Sequence, residues 1–348
     1  MATEVTYTID PGGSGDYTSM QTFASDVKDL VTLDQVLVVK CKTSNGAADT
    51  EPVRFNGWTT DSDHTITIVP EDSKSHHKGV WNDSIYRLEV SPDFTYAIEI
   101  EDVGHIRFRG LQISGGGHQV SDWDSVISVL GSSTTASNGL EISGCIIRPG
   151  KATKFYEEPA DDKLYLRSFK LLLIRRQNLP YGSGTAFIKV FNNLFLSTTL
   201  VGKIDTLPCL ISRPVFAITV GHGSEPSTLR VYVDNNTFHK HATGVYSYDA
   251  AMVEARNNLF HMGRGPLEDI DGLISTTTTT HNATTRGLLS NSGTGTRVGQ
   301  EFTFQDLSKE DFRLKSTDKG AKNVGTDYEN LPTGLLSTHD PFNTPETP

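Results

Sequence analysis

Cysteine, methionine and tryptophan are scarce in this chain of 348 residues, with three, four and three copies. Cys41, Cys145 and Cys209 are odd in number, scattered and set among apolar residues, which reads as buried thiols rather than disulfides or a metal site. Basic residues are the scarcer charge, 31 Lys+Arg against 42 Asp+Glu, leaving a net charge of −11. That deficit argues against nucleic-acid or anionic-membrane partners, which need a basic surface. No apolar run is long enough for a membrane helix, and the opening "MATEVTYTIDPGGSGD" has no charged segment followed by an apolar one. Neither membrane insertion nor export by the usual route is expected, leaving the cytoplasm or a virion.

Helical periodicity is nearly absent too. It occurs in "DYTSMQTFASDVKDLVTL", where Met20, Phe23, Ala24, Val27, Leu30 and Val31 share one helical face and Thr18 with Gln21 has capping-box spacing. Elsewhere short alternating strands are broken by polar turns, as in "HTITIVP", "HIRFRGLQIS" and "AFIKVFNNLFLS". That texture argues for an all-β chain rather than βαβ units.

A repeat runs through it. Asn236 and Asn258 are 22 residues apart, and Asn193 precedes Asn236 by 43, close to twice that. Phe195, Phe238 and Phe260 follow in the same register, and Gly144 and Gly110 stand where other copies have Asn. A strand-built period in the low twenties predicts a parallel β-helix with about three short strands per coil. Residues one period apart then lie above one another at about 4.8 Å. Asn193, Asn236 and Asn258 read as an internal amide ladder at a turn rather than a ligand site. The same register pairs Asp234 with Arg256, expected as an outer ion pair, and His239 with His261. Two stacked imidazoles could hold a metal, but no third ligand is evident, and exposed histidines near a turn are the plainer reading.

Here the chain resembles the right-handed parallel β-helix proteins of the pectate-lyase-like superfamily, bacterial and viral type. The phrases "IDPGGSGDYTSMQTFASDV" and "DFRLKSTDKGAKNVGTD" are similar to the opening and closing segments of that group. The resemblance implies an N-terminal strand and amphipathic capping helix over residues 1–33, coils over 34–274 with a basic insertion at 148–184, and an irregular segment and tail over 275–348. It also implies three possible enzyme classes: lyases with a Lys or Arg base and often calcium, glycosidases with clustered Asp, and esterases with two Asp and an Arg. None of their motifs is complete; a lone Gly221-His222-Gly223 is explained by a turn.

Candidate chemistry is therefore dispersed. The insertion supplies Lys170, Arg175 and Arg176, which could abstract a proton beside a uronate carboxyl. The bland alternative is a solvated protrusion. "SDWD" supplies Asp122, Trp123 and Asp124, a sugar platform between carboxylates or turn decoration, and Trp58 and Trp81 are loop anchors or carbohydrate contacts. The Thr-rich stretch after Gly272 fits an edge strand, interface or exposed loop better than a core coil. The expectation is a structural or recognition protein, a virion (phage) decoration or fibre-type component. It would be homo-oligomeric, in contact with other virion proteins, a candidate glycan binder and without cofactor. The alternative is a lyase or glycoside hydrolase acting on an acidic polysaccharide, with calcium if a lyase.

Overall fold

Alternation of apolar and polar side chains sets the strands, and stacking of their apolar faces assembles them. A computed structural model describes residues 2–91, 94–115, 124–131, 139–150, 169–176, 187–197, 201–202, 211–212, 215–221, 229–241, 243–248, 252–262, 269–272, 279–286 and 293–321. Among these, three parallel sheets account for nearly all regular structure. The first contains eight strands, in order Thr3–Ile9, Gln35–Cys41, Ile66–Pro70, Ile106–Arg109, Leu140–Ser143, Phe187–Phe191, Arg230–Asp234 and Met252–Arg256. The second contains seven, from Val53–Asn56 through Ile98–Glu101, Ser125–Gly131, Phe169–Arg176, Val215–Val220 and Thr243–Ser247 to Ile270–Gly272. The third contains seven, from Leu88–Glu89 through Gln112–Gly115, Ile146–Pro149, Leu194–Leu196, Thr237–His239 and Leu259–His261 to Ala283–Thr284. From Ile106 onward the chain visits the first, third and second sheets in rotation and returns one strand further along. The architecture is all-β, mostly parallel, and consistent with a solenoid.

In-register pairing turns the core into columns. In the first sheet Tyr7, Val39, Ile68, Phe108, Ile142, Val190, Val233 and Ala255 stack in sequence. The second sheet stacks Val53, Ile98, Ile127, Leu172, Ile218, Val245 and Ile270. The third places Phe195, Phe238 and Phe260 face to face, with ring centroids 5.1 and 4.7 Å apart and planes within 10°. Ring spacing here is simply strand spacing.

The asparagines form the ladder, and it has a fourth rung. Asn193, Asn236 and Asn258 each donate their own backbone N–H, at 2.9–3.0 Å, to Oδ1 of the next asparagine, ending at Asn282. Each Nδ2 also donates to the next Oδ1, at 3.0–3.1 Å, and to a carbonyl of the preceding coil. All four are buried and hydrogen-bonded. The residue before each rung (Asn192, Asn235, Asn257 and His281) has φ between 54 and 57°. Gly110 and Gly144 take that left-handed position in earlier coils. Asn282, Ala283 and Thr284 are buried, so the Thr-rich stretch contributes a core coil at that point; threonine fits the pleated wall as an aliphatic residue does.

The N-terminal helix differs from expectation. The segment forms two short helices, α1 (Met20–Ser25) and α2 (Leu30–Leu33), capped by Ser19 with Thr22 and by Asp29. The chain leaves helical geometry at Asp26, so Val27 and Val31 are 48% and 40% exposed instead of joining the apolar face. Met20, Phe23, Ala24 and Leu30 are buried, with Phe23 packed on Phe55 and Trp58.

The basic insertion also divides differently. Phe169–Arg176 is a strand of the second sheet with Lys170 and Leu171–Ile174 buried, because its apolar run is covered on both faces. Residues 151–168 and 177–186 lie outside the described residues, as do Cys209, Gly-His-Gly beyond Gly221, and the tail. Among the described residues no helix is long and apolar enough to cross a membrane.

Two substitutions test the columns. Phe238→Ala is expected to lower unfolding free energy by about 3–5 kcal/mol in urea titrations, because rigid neighbours above and below cannot fill the cavity. Asn236→Ala is expected to cost at least about 2 kcal/mol, since it strands the N–H and amide of Asn193 in a dry interior.

Candidate functional site

The outward residues of the first sheet make the most chemically varied face among the described residues. One row runs Arg107, Glu141, Lys189, Tyr232, Glu254, and the next runs Arg109, Ser143, Phe191, Asp234, Arg256. Alternation forces this: Phe108, Ile142, Val190, Val233 and Ala255 point inward between them. Most of these outward side chains are half-buried by one another.

Glu141 is the anchor. Arg109 grips it with Nε–Oε1 at 2.6 Å and Nη2–Oε2 at 3.0 Å, and Ser143 Oγ donates at 2.9 Å. Burial pushes its pKa up, but the Arg109 bonds and the charges of Arg109 and Arg107 outweigh that and hold the carboxyl below its usual value. Arg107 and Lys189 flank Glu141 one strand to either side. Neither has a carboxylate within ion-pair distance among the described residues, and burial lowers the pKa of both. Tyr232 lies next to Lys189 in the row, half-exposed.

Asp234 is the exceptional group. It is 3% exposed and its Oδ1 has no hydrogen-bond partner. Register does set it beside Arg256, yet the guanidinium of Arg256 pairs with Glu254 of its own strand. The expected outer ion pair is thus replaced by a buried acid beside a Glu–Arg pair. Burial, with help from the Glu254 charge and against that of Arg256, pushes the Asp234 carboxyl up to about 7.

The residues singled out in the sequence are spread over other faces. Asp124, just before the strand Ser125–Gly131, and Lys170 on the neighbouring strand of the second sheet are brought together, the Lys170 N–H donating to the Asp124 carbonyl at 3.2 Å, and both side chains are buried. Arg175 lies further along that strand, its pKa lowered by burial. Asp122, Trp123 and the side chain of Arg176 lie outside the described residues. Trp58 is a core residue, 4% exposed, with Nε1 donating to the Ala24 carbonyl at 2.9 Å. Trp81 carries the Arg148 guanidinium 3.4 Å from its ring centroid. His239 and His261 are buried rather than exposed, their Nδ1 atoms 2.9 Å apart. Among the described residues no group of three His, Cys, Asp or Glu is placed to hold a metal.

Arg107, Glu141, Lys189 and Tyr232 were missed in the sequence because they come from four separate strands, and Asp234 was read there only as half of an ion pair with Arg256. The signal available was the outward position in "IRFR", "LEIS", "FIKVF" and "RVYVD", once those strands are stacked. Compared with protein-family models and with curated proteins, the chain matches none.

The raised acid has a measurable consequence. Above about pH 4 the unfolded carboxyl is ionised, whereas folded Asp234 keeps its proton until about 7. Stability is therefore lost as pH rises through that window, on the order of 1.4 kcal/mol per pH unit. Asp234→Asn is expected to be more stable than wild type at pH about 8 and equal to it near pH 4, in paired urea titrations.

Proposed function

We propose that the chain is a right-handed parallel β-helix with α1 and α2 as its N-terminal cap. In this reading it serves as a structural or recognition protein, a virion-surface component, and it holds an acidic polysaccharide along the outer face of the first sheet. One observation carries the glycan reading. Arg107 and Lys189, two cations with no carboxylate of their own among the described residues, stand on either side of an already neutralised Arg109–Glu141 pair. They are two strand spacings apart, about 10 Å, a distance that lets two acidic sugars of one extended chain, with one sugar between them, meet one cation each. Tyr232 continues the row with an aromatic ring on which a sugar face can stack. Half-buried cations bind such charges more tightly than fully hydrated ones.

Asp234 supports a second reading, a glycoside hydrolase. A carboxyl protonated up to about 7 beside the carboxylate of Glu254 is a general acid beside a candidate base or nucleophile.

Retention on immobilised polyuronate, compared with a neutral glucan, tests the first reading. Arg107→Ala with Lys189→Ala is expected to weaken polyuronate retention about tenfold or more, equivalent to about 1.4 kcal/mol, without moving the thermal midpoint. Equal retention of wild type and variant sinks the proposed site. New reducing ends that vanish in Asp234→Asn would establish the hydrolase instead.

A further inference from the structure

The third sheet has an apolar outer face, and the chain returns to cover it. Phe304–Asp306 and Asp311–Leu314 form an antiparallel hairpin. Phe304 and Phe312 pack with Ile146, Leu194, Leu196 and Leu259 in a cluster separate from the main core, with Trp81, Phe302 and Leu314 at its edge. In the middle of this contact lie His239 and His261, one strand apart, ring centroids 4.9 Å apart and planes within 21°. Phe312 meets His239 at 4.5 Å, and Phe304 meets His261 at 4.8 Å.

We propose that this histidine pair is an acid-sensitive latch: it holds the C-terminal hairpin on the third sheet while at least one imidazole is neutral, and releases it when both are protonated. The geometry imposes the two-proton condition. With Nδ1 facing Nδ1 at 2.9 Å, one nitrogen must donate and the other accept. A second proton puts two N–H groups and two positive charges against each other under a roof of phenyl rings. Parallel registry keeps the stacked rings from sliding apart within the sheet, so the hairpin is the part that yields.

Among the described residues, the charges nearest the rings do not offset those of the pair. Burial, with the like charge of Lys240 on the turn beside the rings adding to it, lowers His261 to about 4. His241, two residues on, is itself buried, hydrogen-bonded to the Phe195 carbonyl and pushed down to about 4 by burial. The acids of the hairpin are engaged by neighbours. Asp311 binds Arg313 at 2.6 Å, Asp306 binds Lys309 at 3.3 Å, and Glu310 faces Arg148 at 3.8 Å. Asp318 accepts the Thr303 N–H at 2.6 Å.

Amide hydrogen exchange of the full chain, corrected for intrinsic rates, tests the latch between about pH 7 and about pH 4.5. Exchange in Phe304–Leu314 is expected to quicken at least tenfold on acidification while the strands of the first sheet stay protected. His239→Phe with His261→Phe keeps an aromatic stack without titratable nitrogens, and its hairpin is expected to stay protected throughout. Should the double variant fail to fold, His261→Phe alone is expected to do the same, since a second proton no longer has a site. Unchanged exchange in the wild-type hairpin overturns the latch. So does loosening of a variant hairpin at the wild-type midpoint, or simultaneous loss of protection in all three sheets.

Discussion

Everything in this molecule depends on one spacing. Parallel strands in register hold equivalent side chains about 4.8 Å apart, one above another, for the length of the sheets. A residue's principal neighbour is therefore its counterpart one coil away. Like then meets like by necessity: phenylalanine rings stack on phenylalanine rings, asparagine amides on asparagine amides and imidazole on imidazole. Some columns gain from this, because flat rings and amides bind their own kind at that distance. For titratable groups the same spacing is a constraint, because like charges at close range repel.

The corner between the first and third sheets shows how turn and interior are solved together. A left-handed residue reverses the chain, and the next residue turns its amide inward. Asn serves both positions, which is why the pair is doubled in three coils. Where the first position is glycine, as at Gly144, the second is Cys145, whose backbone N–H donates to Asn193 Oδ1 at 2.9 Å. The ladder thus ends on a main-chain donor rather than on an unpaired carbonyl oxygen.

On the outside, stacking brings together charges that are distant in the sequence. Arg109 neutralises Glu141 across one coil, and Arg54 does the same for Glu99 at 2.9 Å on the second sheet. Among the described residues Arg107, Lys189 and Asp234 fall outside such pairs, and they set the chemistry of the face. Burial favours the neutral form of each, so it moves the pKa of the acid up and those of the two bases down. The histidine latch follows the same logic on another wall, with the hairpin supplying the burial.

The sequence by itself determined the all-β character, the coil period and the identity of the Phe and Asn columns. These depend on alternation and on repeats spaced 22 or 43 residues apart, which are properties of the linear chain. The N-terminal helix was legible in type but not in extent: Asp26 and Asp29 interrupt it, and helical periodicity carries no information about which residue stops a turn. The fourth rung at Asn282 was hidden because its predecessor is His281 rather than Asn and its flanks are threonine, though the left-handed φ is the same. What only the tertiary structure decided is which outward residues share a face and how deeply each is buried. Asp234, Lys189 and Arg107 are separated by tens of residues in sequence. Their proximity is set by register between strands, and their protonation by what covers them, neither of which is written in any single strand.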